Sequence, residues 1–166
     1  MTPLCADLLV LFRRDLQAFR REVALFPDDD ALWRATPGFA NSAGNLALHV
    51  AGNLRHFIGA VLGGTGYERD RDAEFGQRVG SRSSVEAELE AALDVMDAVL
   101  PRLTERDLAA PFPVPVAGVQ PPTGRFLLHL ATHTAFHLGQ AGTLRRILTG
   151  EGRSAGAMAV SGLAEP

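Results

Sequence analysis

The chain has 166 residues, 46% of them hydrophobic and 21% charged, which suits one globular domain around a single core. Sixteen basic against nineteen acidic side chains give a formal charge of -3, so no strongly positive field exists to hold a phosphate backbone, and nucleic acid is not an expected partner. All the basic residues are arginine and Cys5 is the only cysteine, which excludes a Schiff-base or P-loop lysine, an internal disulfide, a CxxC redox pair and a thiolate zinc cage.

Apolar residues recur at helical spacing, as in Leu4, Leu8, Leu11, Phe12 and Phe19, and again in Leu89, Leu93, Met96, Leu100 and Leu103. Four long helices are expected. Thr2 and Pro3 predict an N-cap with proline at the first helical position, so the first helix runs from about Pro3 to Leu25 and stops near Pro27. Asp28 to Asp30 read as a solvated turn without calcium-loop spacing, and Trp33 as an anchor for the first connection. Ser42 caps a second helix that Gly63 and Gly64 end. Ser83 and Glu86 have capping-box spacing ahead of the third, and Thr123 caps a fourth running to about Gly150.

The connections from Gly63 to Arg82 and from Thr104 to Pro122, about twenty residues each, are longer than antiparallel neighbours need. At least one is expected to cross the bundle, with Pro111 to Pro115 extended along its outside. Residues 1–153 form the domain, and 154–166 form a Gly/Ala/Ser-rich tail, mobile or packed on a partner. The charges within the first thirty residues interrupt any secretory signal, and a reducing, cytoplasmic setting is expected.

Two stretches carry no formal charge, Ala35 to Leu54 and Phe126 to Leu144. Their Asn, His, Thr and Gln content suits a protein interior with something polar inside it, not lipid. All five histidines lie in these stretches or one turn beyond: His49 and His56 in the second helix, His129, His133 and His137 in the fourth. A step of four advances roughly 40° around a helix and 6 Å along it, so His133 and His137 can reach one metal ion, whereas His129 and His137 cannot easily share it. His49, on another buried helix, is the natural third ligand. Three imidazoles without carboxylate or thiolate leave the ion its full charge, which strengthens it as a Lewis acid toward a bound water or thiol. Such a site accepts several divalent metals, zinc or nickel first among those expected.

The run His133-Thr134-Ala135-Phe136-His137-Leu138-Gly139-Gln140 resembles the final-helix motif of the DinB superfamily, four-helix bundles regarded as metalloenzymes. Asn45-Leu46-Ala47-Leu48-His49-Val50-Ala51-Gly52-Asn53-Leu54 resembles the family segment that supplies the first histidine. The likeness covers roughly residues 3–150, and the stretch from Tyr67 to Phe75 looks most like an uncharacterised subgroup. The resemblance implies an all-α bundle of up-down-down-up course that often dimerises, with His49, His133 and His137 as metal ligands. It further implies chemistry like that of the family's bacillithiol- or mycothiol-dependent S-transferases: a low-molecular-weight thiol, or water, delivered to a small electrophilic substrate. The alternative from another class is a non-catalytic stress-response or metal-binding bundle, its ion closed off by a fourth ligand such as His129 or Gln140.

Several further residues carry two readings. Asn45 and Asn53 flank His49 by four positions on either side, so each can orient a ligand or hold substrate, or else bond between helices. Gln140, three beyond His137, can meet substrate or pack. His129 reads as a core or ligand-supporting histidine, and His56 as partly exposed at the mouth of the same face. Arg69 to Glu74 read as a solvated charge run with internal pairs, or as a source of an arginine that clamps a thiol cofactor's carboxylates. Cys5 has no base placed beside it. Paired Glu-x-x-His, HExxH and Walker patterns are absent, which removes di-iron, zincin and P-loop chemistry.

Overall fold

The Thr2 hydroxyl accepts the Cys5 N–H at 3.2 Å and Pro3 opens helix α1, Pro3–Ala24, so the first start signal acts as expected. The computed structural model describes residues 1–156 and 159–164; positions 157, 158, 165 and 166 of the expected tail lie outside the described residues. After α1 come α2 (Asp29–Trp33), α3 (Ala43–Leu54), α4 (Arg71–Gly76), α5 (Arg82–Val99), α6 (Glu105–Ala109) and α7 (Thr123–Thr149). The described residues form no strand, only two isolated backbone bridges. No helix among them is long and apolar enough to cross a membrane.

Four long elements make the bundle: α1, α3 with its extension, α5 and α7. Gly124 packs beside Leu4 and Arg145 pairs with Glu22, so α1 and α7 run parallel. Arg13 pairs with Asp97 and Arg20 with Glu90, so α5 runs against α1. Gly59 lies against Val95 and Gly63 against Val99, so α3 and its extension run with α5; Phe57 meets Phe126 while His49 meets His137, so α3 runs against α7. The course is therefore up, down, down, up. Leu8, Phe12, Phe19, Val50, Leu54, Leu89, Met96, Leu127 and Leu144 fill the centre, and Cys5 is buried among them.

The second long helix does not stay α-helical to its end. From Arg55 to Leu62 the backbone is π-helical, and it stops at Gly63 and at Gly64, whose φ of 65° favours glycine. Ser42 does cap α3: its hydroxyl accepts the Asn45 N–H at 3.2 Å and the Asn45 side-chain oxygen accepts the Ser42 N–H at 3.3 Å. Asp28 caps α2, and buried Trp33 donates its indole N–H to the Gly80 carbonyl at 2.6 Å, anchoring the first connection.

Two caps differ from expectation. Ser81, not Ser83, begins α5, accepting the Ser84 N–H at 3.1 Å, because Asp29 on α2 accepts the Arg82 N–H at 2.9 Å and fixes the entry earlier. Thr123 is the first residue of α7 rather than its cap, since its N–H and hydroxyl both donate to the Ala110 carbonyl, at 2.8 and 3.1 Å. That carbonyl is brought there by the bridge between Pro111 and Pro122. The Pro-rich segment accordingly folds back on itself and buries Phe112 instead of running extended outside. The described part of the tail lies on α1 of its own chain: Arg21 donates to the Ala155 carbonyl at 2.9 Å and Gly162 packs on Arg14.

Candidate metal centre

His49 projects from the middle of α3, and His133 and His137 project one turn apart from α7, because the i, i+4 step keeps two side chains on one helix face. Antiparallel packing of α3 on α7 closes the cluster. His49 Nε2 lies 3.3 Å from His133 Nε2, which lies 3.1 Å from His137 Nε2. One ligand atom from each ring falls within 4.8 Å of the others. Nitrogens at 2.0–2.1 Å around a tetrahedral ion stand about 3.3 Å apart, so the donor set fits a divalent cation of zinc's size.

The outer nitrogens of two of these rings are held. His49 Nδ1 lies 3.0 Å from Glu74 Oε2, and His137 Nδ1 lies 2.8 Å from Gln140 Oε1. Each oxygen accepts the Nδ1–H, which leaves the lone pair on Nε2, turned toward the cluster. Glu74 is buried on α4 and is gripped by Arg69, whose Nε reaches Oε1 and whose Nη2 reaches Oε2, both at 2.7 Å. Arg69 Nη2 also lies 3.1 Å from His49 Nδ1; two donors meeting over one carboxylate oxygen explain that approach.

Burial favours the neutral form of two of the rings, His133 and His137. Burial, then the neighbouring His137 and His49 rings, push His133 down to about 4. Burial also lowers His137, more than the Gln140 hydrogen bond raises it. Burial alone would raise the Glu74 carboxyl, but the Arg69 and His49 hydrogen bonds and charges outweigh it and hold it below the usual value. At neutral pH the lowered His133 and His137 are unprotonated, the form that binds metal.

The other candidate residues are placed as follows. Asn45 touches no histidine; its amide donates to the carbonyls of Glu74 and Gln77 at 2.8 and 2.9 Å and so docks α4 on α3. Asn53 is buried with Oδ1 unpartnered. His129 is exposed, its ring stacked on Phe126 at 5.9 Å and 6.0 Å from that of His133. His56 is half-buried with Nδ1 unpartnered, its pKa lowered by burial and then by Arg69. The run from Arg69 to Glu74 is not a solvated stretch throughout, since Glu74 is only 6% exposed and Arg69 is engaged by it.

Glu74 and Gly52 are what sequence reasoning missed. Gly52, three residues after His49, is where the carboxylate enters: a Cβ there would clash with Oε1 and lie 2.9 Å from Cδ of Glu74. A glycine inside a buried α-helix was the one available signal, because it costs about 1 kcal/mol against alanine and marks a close approach.

Comparison with known families agrees with this geometry. The model of the DinB superfamily matches residues 11–141, and the chain belongs to that superfamily. A comparison with curated proteins finds no match.

Proposed function

We propose that this protein is a metal-dependent enzyme of the DinB type, in which His49, His133 and His137 hold one divalent ion that activates a low-molecular-weight thiol, or water, for transfer to a small electrophile. The observation that carries this reading is the convergence of three imidazole nitrogens, with the Glu74 carboxylate on the far side of the His49 ring, 3.0 Å from Nδ1. A divalent ion so bound keeps its charge and lowers the pKa of a thiol or water at its open position. His49, His133 and His137 bind and orient it. Phe75, whose ring centroid lies 4.6 Å from that of His49, is an apolar side chain against the cluster.

The test is metal content followed by turnover. Elemental analysis of untagged protein should give close to one equivalent of metal per chain, and a folded His133→Ala, His137→Ala double variant should give none. The loaded protein is then assayed on an electrophile with and without added thiol. Thiol-dependent consumption supports the transferase form, and thiol-independent consumption the hydrolase form. Bound metal with neither activity, across a panel of thiols and electrophiles, replaces the enzyme reading with that of a non-catalytic metal-binding bundle.

A further inference from the structure

We propose that Glu74 is the positioning residue of the metal centre: clamped by Arg69 and admitted by Gly52, its carboxylate holds His49 in the Nδ1–H form and thereby sets how tightly the three imidazoles bind a divalent cation. This inference rests on the metal-site reading above.

Three features of α3 serve one carboxylate. Asn45, one turn before His49, fixes the backbone of Glu74 and Gln77. Gly52, nearly one turn after it, leaves the space into which Oε1 enters. Between them His49 meets Oε2 at 3.0 Å. Arg69 then occupies both oxygens, so the carboxylate is held by charge-assisted hydrogen bonds, with Nη2 sharing Oε2 with the ring and lying 3.1 Å from His49 Nδ1. An imidazole whose Nδ1–H donates to a carboxylate has its lone pair on Nε2 and is a stronger donor through it than one facing a neutral group. The three rings differ in this respect: His49 faces an anion, His137 faces the neutral amide of Gln140, and among the described residues no hydrogen bond reaches His133 Nδ1. His49 is thus the ring most firmly held in the binding tautomer.

Nitrogen-15 NMR of the metal-free wild type reads the His49 tautomer directly, and zinc competition titrations on wild type, Glu74→Gln and Glu74→Ala read the affinity. The expected result is an Nδ1–H His49 in the wild type, a mixed tautomer in Glu74→Gln, and zinc affinity reduced about 10- to 100-fold in the variants. A wild-type His49 carrying its proton on Nε2 overturns the proposal whether or not the variants fold. So does an unchanged tautomer and affinity in folded variants, which would leave Glu74 as a structural partner of Arg69 alone. Wild-type protein that binds no zinc at all overturns the metal-site reading, a failure visible separately because the tautomer is measured without metal.

Discussion

Gln140 lies three residues beyond His137 on α7, and its side-chain oxygen stands 2.8 Å from His137 Nδ1. The i, i+3 step on a helix puts the two on one face, so the residue that holds the ring is supplied by the same helix as the ring itself. Replacing Gln140 by leucine removes the acceptor at similar size. Zinc affinity measured by chelator competition should fall about tenfold, with helical content by circular dichroism unchanged. Gln140→Glu puts a carboxylate there and should tighten zinc binding relative to leucine.

The metal-free protein should lose stability on mild acidification. His133 is lowered to about 4 and His137 is lowered as well, in each case by burial first. Both rings are neutral in the folded and the unfolded chain above pH 7. As pH falls through the unfolded value of about 6.5, the unfolded chain takes up protons that the folded one refuses, at about 1.4 kcal/mol for each unit of pKa difference. The loss levels off below about pH 4, where the folded ring is protonated too. Urea unfolding at pH 7, 5.5 and 4.5 measures this; a His133→Phe variant should show a shallower decline, and an equal decline would disprove the assignment.

Much of the site was legible because its geometry is local. Four-residue spacing on one helix needs no tertiary information to place His133 beside His137, and two long uncharged stretches marked the helices that face each other. Thr2, Ser42 and Gly150 likewise act through bonds spanning three or four residues. What escaped depends on distant partners. Ser83 lost the cap to Ser81 because Asp29 accepts the N–H of Arg82, fifty-three positions further along the chain. Thr123 turned its donors to Ala110 across a hairpin. Glu74 looked like one charge among many, and its burial follows only from α4 docking on α3 through Asn45.

The glycine at position 52 gives a substitution whose sign depends on its neighbour. In an unconstrained helix, Gly52→Ala should stabilise by about 1 kcal/mol through helix propensity. Here the new methyl meets the Glu74 carboxylate, so the single variant should melt below wild type and bind zinc more weakly. With Glu74 shortened to alanine the obstruction is gone, and adding Gly52→Ala on that background should raise the melting temperature. A double-mutant cycle by thermal unfolding gives the coupling directly; additivity would show that the two residues do not compete for space.

Arg145 and Glu22 tie the far end of the bundle together. Arg145 is fully buried on α7, its Nε 2.5 Å from Glu22 Oε2 on α1, and it also donates to the Arg153 carbonyl in the chain leaving α7. Gly142 leaves room for the carboxylate, since a Cβ there would lie 3.0 Å from Oε1. Removing one member of a buried pair strands the other's charge, so Glu22→Ala should cost about 3–5 kcal/mol. Arg146, half-exposed and 4.0 Å from the other Glu22 oxygen, should cost under about 1 kcal/mol when changed to alanine. Because Arg145 also holds the backbone that leads into the tail, Glu22→Ala should in addition speed proteolysis after residue 150, whereas Arg146→Ala should not. Chemical denaturation and limited proteolysis read the two effects independently, and a Glu22→Ala protein as stable as wild type would mean that Arg145 finds its compensation in the carbonyls of Glu151 and Arg153 alone.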